Sequence, residues 1–158
     1  MSRYAADTSV RSEQSRAEIE RTLSRYGATG FMYGWTGNQA VIAFEMQALR
    51  VRFNLPMPNV ADRQFTHTPA KGQLRSVEGQ REAYEQAVRQ RWRALALVVK
   101  AKLEAVESGI TTFEEEFLAH IVLPGGRTVG EHTIPAIGDA YAGRPLPPLL
   151  PAPERADG

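Results

Sequence analysis

The sequence predicts an α+β fold: a three-stranded antiparallel meander packed on a long central helix, with an N-terminal helix, two shorter C-terminal helices and a proline-rich tail. The first observation behind this is the run REAYEQAVRQRWRALALVVKAKLEAVE, residues 81–107, which contains no Gly or Pro and ends before Ser108-Gly109. On a helical wheel Tyr84, Val88, Trp92, Leu95, Val99, Leu103 and Val106 share one stripe. Ala87, Ala94, Val98, Ala101 and Ala105 widen it, leaving a polar arc of Glu82, Arg89, Arg93, Lys100, Glu104 and Glu107. A helix apolar over half its circumference is one that other elements pack around.

The second observation is a register match. With Gly37-Asn38 as a two-residue hairpin turn, Trp35 faces Ala40, Tyr33 faces Ile42 and Phe31 faces Phe44. With Gln47-Ala48 closing a second hairpin, Met46 faces Leu49, Phe44 faces Val51, Ile42 faces Phe53 and Ala40 faces Leu55. All of these fall on one sheet face, because side chains alternate with period two. The other face holds Met32, Gly34, Val41, Ala43, Glu45, Arg50, Arg52 and Asn54, with Glu45 across from Arg50. The meander therefore spans residues 31–55, and Trp35, Phe44, Phe53 and Trp92 are its expected anchors.

Taken in order, residues 1–10 read as loose, 11–142 as a single domain and 143–158 as an extended tail. A helix over 12–26 has Ser15 and Glu18 in capping-box spacing, competing with a start nearer Ser12, and Gly27 as its stop. Its apolar stripe is thin, Ile19, Leu23 and Tyr26, which suits a surface helix or one completing an interface. Residues 56–80 form a connection rich in Gly and Pro with no sustained periodicity, and structureless loops of that length are usually functional or disordered. Thr112 and Glu115 form a second capping box, with Thr111 and Glu114 an equal frame, followed by Phe113, Phe117, Leu118 and Ile121. Leu123-Pro-Gly-Gly126 breaks the chain and a last helix is expected over 134–141. The tail, RPLPPLLPAP, is expected to strap across the domain on Leu146, Leu149 and Leu150.

Composition sets bounds. The chain has 42% apolar and 23% charged residues in 158, the range of one soluble globular domain. No apolar run is long enough to span a bilayer and no secretory signal is readable, so a cytoplasmic protein with no membrane partner is expected. The absence of cysteine excludes disulfides, thiolate catalysis and thiolate metal sites. Net charge is only +1, yet residues 111–158 carry three basic against seven acidic side chains, so the middle of the chain is mildly basic.

No chemical site stands out. Glu116 and His120, at i and i+4, can face one point as metal ligands do, with Glu131-His132 nearby. The commoner outcome is a carboxylate at a helix N-terminus and an ordinary surface histidine, so neither metal nor cofactor is expected. There is no G-x-S-x-G, Walker loop or partnered S-x-x-K, and Pro124-Gly-Gly-Arg-Thr-Val-Gly130 follows a helix, which reads as a tight turn. Phe31-x-Tyr33-x-Trp35 resembles the aromatic alternation of single-strand-binding sheets, but the register assigns all three rings to the core face. Arg50 and Arg52 lie on the opposite face, which the N-terminal helix, a second subunit or a phosphate backbone would complete. Glu45 partly neutralises Arg50, whereas Arg52, Arg63, Lys71 and Arg75 are less encumbered. The nucleic-acid-binding candidates are thus Arg50, Arg52, Arg63, Lys71 and Arg75.

The block RQRWRALALVVKAKLEAVESGITTFEEEFLAHIVLPGGRTVGEH, residues 89–132, together with the PPLLP ending, resembles a small protein family associated with bacterial phages and related mobile DNA. The resemblance implies a mobile-element accessory protein; it carries no catalytic motif and assigns no site residue. The β-β-β-α order also resembles the core of the single-strand annealing proteins of phages and their eukaryotic relatives, in which a meander on a long helix forms a basic groove and assembles into rings. This chain is short for that family and lacks a strong basic stripe. The resulting expectation is a non-enzymatic, homo-oligomeric protein that binds single-stranded DNA. The alternative is a factor or inhibitor that binds a host or phage protein through residues 56–80 and the acidic C-terminal part.

Overall fold

The computed structural model describes residues 3–152, with side chains from residue 12 onward; Met1, Ser2 and residues 153–158, the end of the expected tail, lie outside the described residues. In chain order the elements are α1 (Arg3–Arg25), β1 (Thr29–Thr36), β2 (Gln39–Met46), β3 (Leu49–Pro56), α2 (Arg63–Thr66), α3 (Val77–Glu107), α4 (Phe113–Phe117), a 3-10 turn (Leu118–His120) and α5 (Val129–Tyr141). The fold class is α+β, with a meander in the order β1-β2-β3 and α3 at its centre.

The register follows from alternation. Trp35 pairs with Ala40, Tyr33 with Ile42 and Phe31 with Phe44; across the next ladder Met46 pairs with Leu49, Phe44 with Val51 and Ile42 with Phe53. The first turn has positive φ at Gly37 alone (59°), the pattern of a type II′ hairpin, and the second has it at both Gln47 (51°) and Ala48 (63°), the pattern of type I′. The inner face then buries Ile42, Phe44, Val51 and Phe53 against Trp92, Leu95, Val99 and Leu103 of α3. Phe117 of α4 closes this core, edge-on to Phe44 at 6.0 Å and to Phe53 at 6.1 Å.

The helix α1 departs from expectation in extent and place. It is already helical at Arg3, within the stretch expected to be loose, and it does not lie over the outer sheet face. Ile19 and Leu23 are buried in the same core as Phe44, so α1 stands beside α3 in the layer that covers the inner face. Arg16 lies against Trp92 and Tyr26 bonds Glu107, so the two helices run in the same direction. The thin stripe is thus consumed within the domain and leaves no interface of its own.

Trp35 is the main correction to the expected core: it is 57% exposed, and Tyr33 is 40% exposed. Register fixes the face of a residue, but burial also needs a covering element, and Trp92 reaches only as far as Tyr33, edge-on at 6.0 Å. The edge strand β1 therefore projects past its cover.

The connection 56–80 is not structureless. Met57 exchanges backbone and side-chain bonds with Asn38, and Phe65 of α2 is buried edge-on to Tyr84 at 5.5 Å. A tight hairpin follows, with Thr68 N–H donating to the Gln73 carbonyl and a bridge between His67 and Leu74. Four residues before the expected start, α3 begins at Val77 because Ser76 caps it, accepting from the Gly79 N–H at 3.1 Å. Glycine is tolerated there, in the first turn, where few intrahelical bonds depend on it.

After α4, which uses the Thr112–Glu115 capping box, the chain turns around the open edge of β3. Val122 N–H donates to the Arg50 carbonyl at 2.8 Å and Ile121 bridges Val51, so a short segment covers that edge. Residues 123–126 form the expected tight turn. The last helix starts at Val129, not near 134, on a capping box made by Thr128 and Glu131, whereas Ser15 and Glu18 lie inside α1 and cap nothing. Pro135 inside α5 removes the bond to the Glu131 carbonyl, and Arg127 Nη2 donates to that oxygen instead at 2.7 Å. Gly130 lets α5 approach closely, since a Cβ there would stand 2.8 Å from the Ala119 carbonyl oxygen. The tail does not strap the domain through its leucines: Leu146, Leu149 and Leu150 are exposed, and the Leu149 carbonyl accepts from Thr133.

Chemical denaturation tests this core. Phe44→Ala or Trp92→Ala is expected to cost about 3–5 kcal/mol, whereas Trp35→Ala is expected to cost under about 1 kcal/mol.

Candidate nucleic-acid interface

The five cations chosen from the sequence fall in two places. Arg50 and Arg52 stand on the outer face of β3, two residues apart. Arg50 donates to Glu45 Oε1 at 3.1 Å across the ladder, as the register requires. Arg52, expected to be among the less encumbered, is engaged by two partners. Its Nη2 donates to both carboxylate oxygens of Glu131, at 2.8 and 3.0 Å, and its Nη1 to the Gly126 carbonyl at 2.8 Å. Asn54 adds a bond to Glu131 Oε1 at 3.2 Å. This pair fastens α5 to the outer sheet face and commits three of the arginine's five N–H donors.

Arg63, Lys71 and Arg75 stand together on the connection before α3. Gly72 places the hairpin tip against Arg63, whose Nη2 would lie 3.3 Å from a Cβ at that position. Arg75 is half-buried and donates through Nε to the His67 carbonyl at 3.1 Å. Lys71 and Arg63 are exposed.

A feature set aside in the sequence now stands out on β1. Tyr33 and Trp35 share one face of the edge strand, and both rings reach solvent; Met32, on the other face, is also exposed. Arg16 of α1 lies over Tyr33, with its Cζ 4.1 Å from the ring centroid, and at 5.7 Å from that of Trp92. Its Nε is buried without a hydrogen-bond partner, and its salt bridge to Glu13 is long at 3.9 Å. Burial holds the Arg16 guanidinium below its ordinary value, though an arginine stays charged in that range. The signal for this group was the Phe31-x-Tyr33-x-Trp35 alternation; what alternation does not report is which of the three rings another element buries.

The Glu116–His120 pair does not converge. Glu116 Oε1 accepts from Lys102 at 3.0 Å, while the His120 ring stacks on Phe53 at 4.1 Å and 25°. His120 is half-buried, not an ordinary surface histidine. Burial first, then the Lys102 charge, holds its imidazole below the usual value, against a hydrogen bond to the Arg52 backbone that raises it. The hydrogen bond from Arg52, above all, holds Glu131 below the ordinary carboxylate value. Among the described residues no three His, Asp or Glu side chains gather as a metal site, and no helix is long and apolar enough to cross a membrane.

Comparison with protein-family models, curated proteins and solved structures gives no match.

Both shifted groups act in the same direction with pH. His120 is neutral in the folded state to lower pH than in the unfolded chain, so its contribution is present above 6.5 and is lost as pH falls through its folded value. Glu131 contributes above 4.5 and loses that contribution as pH falls through its lower folded value. Thermal melts from about pH 7 to about pH 5 should show falling stability that His120→Gln flattens. A wild-type melting temperature that is constant over that window would contradict the placement of His120.

Proposed function

We propose that this chain is a non-enzymatic accessory protein of a phage or related mobile element that binds single-stranded nucleic acid along β1. The observation that carries the reading is the pair of solvent-exposed rings, Tyr33 and Trp35, on one face of an edge strand. Exposed aromatics on a strand stack bases without sequence preference, each worth about 1–3 kcal/mol. Arg16 supports the platform from beneath Tyr33, and Arg63 and Lys71 are the exposed cations of the expected set for phosphate contact. Arg52 drops out of that set because its donors go to Glu131 and Gly126.

The chain has two tryptophans, and Trp92 is buried while Trp35 is exposed, so fluorescence quenching by an oligonucleotide reports on Trp35. Titration with a labelled single-stranded oligonucleotide should show binding that weakens with salt, and Trp35→Ala should weaken it about tenfold or more. Arg63→Ala with Lys71→Ala should reduce the salt slope by about 0.7 per lost contact. Unchanged affinity in folded Trp35→Ala would sink the reading.

A second reading has its own observation: Val60, Leu74 and Val77 are exposed apolar side chains on the 56–80 connection. They favour a host or phage protein as partner at that loop. A protein that binds no oligonucleotide at low or at high salt would bring this reading forward.

A further inference from the structure

We infer that the outward side of α3 is a homodimer interface, on which a second copy of the chain packs antiparallel about a two-fold axis near Leu97 and Val98. The buried stripe of α3 faces the sheet through Trp92, Leu95, Val99 and Leu103. On the opposite side of the same helix Ala94, Leu97, Val98 and Ala101 form a second apolar stripe, and all four are exposed. Leu97 is 62% and Val98 45% exposed, large aliphatic groups that a solvated helix face does not need. Gln14, Ser15 and Glu18 of α1 wall one flank of the stripe, beside Arg93 and Leu97, and still leave Leu97 mostly exposed. The alanines on either side permit close approach of two helices, and the leucine and valine fill the contact.

Charge names the occupant. Arg93 and Glu104 flank this stripe on the same side, about three turns apart. Among the described residues neither forms a salt bridge. A two-fold axis lying in the interface and perpendicular to the helix brings each flank against itself with its direction reversed. The midpoint between Arg93 and Glu104 falls beside Leu97 and Val98, so an axis there sets Arg93 of each copy opposite Glu104 of the other. The apolar centre and both charge pairs are then satisfied by one operation. A parallel pairing, about an axis along the helices, would turn the flank that carries Arg93 and Glu104 to opposite sides in the two copies and bring neither against the other.

Light scattering and sedimentation on the full chain should give a dimer mass at micromolar concentration, and Leu97→Asp should return it to the monomer with an unchanged circular dichroism spectrum. Arg93→Glu and Glu104→Arg should each raise the dimer Kd by more than about tenfold, since each sets like charges together. The double variant Arg93→Glu/Glu104→Arg should restore the wild-type Kd. The chain has no cysteine, so Leu97→Cys should cross-link two copies on oxidation with no competing thiol. A wild-type monomer, a dimer indifferent to Leu97→Asp, or a double charge swap that fails to restore association would each overturn the inference.

Discussion

A meander of three eight-residue strands has two faces, and the packing of α3 on one of them decides what becomes of everything else. The contact is hydrophobic and one-sided: Phe44 and Phe53 from the strands meet Trp92, Leu95 and Val99 from the helix. Each large side chain buried there contributes roughly 1.5–3 kcal/mol. Because side chains alternate, the commitment of Phe44 to this face also commits Arg50, Arg52 and Asn54 to the other. The polar half of the sheet is thus a consequence of the apolar half, and α5 is fastened to it by Glu131.

The two sheet edges are treated differently. Residues 121 and 122 cover β3 with a backbone bond and a bridge, and the turn at 123–126 carries the chain on to the outer face. At the other edge Arg16 of α1 lies over Tyr33, while Trp35 is 57% exposed. A protein that leaves a tryptophan exposed on an edge strand carries an aggregation hazard, which natural edges usually blunt with charge. Here Arg16 lies against the Tyr33 ring with an unpartnered Nε. That placement sacrifices a hydrogen bond and keeps a cation beside the exposed rings. On the proposed reading, that arrangement serves stacking.

The strand register was legible because two turns and a period-two pattern constrain each other, and a slip at either would have broken the agreement of the apolar faces. The body of α3 was legible for the same kind of reason. Its true start was not, since Gly79 reads as a breaker until Ser76 is seen to cap the turn around it. For α5 the capping signal at Thr128 and Glu131 was present in the sequence, but Gly130 and Pro135 masked it. Both residues have local remedies, a close approach to Ala119 and a bond from Arg127. Arg52 lay beyond sequence reading altogether, because its partner is 79 residues away and no periodicity links them. Trp35 marks the remaining limit: alternation gives the side of a sheet, while burial depends on the reach of a different element.

The same distinction applies to α3. Its alanines at 94 and 101 and its valine at 98 read as a widening of the core stripe, yet they turn away from the sheet. A long helix that carries apolar residues on opposite sides has more such surface than one sheet face can cover. The sheet takes the side with the aromatic and branched residues, where volume is largest, and leaves the side with small residues and Leu97. Pairing of two copies through that side would keep both β1 strands uncovered, because β1 lies under the opposite side of the same helix layer. Association and strand binding would then occupy separate surfaces of one particle, and loss of either would leave the other measurable.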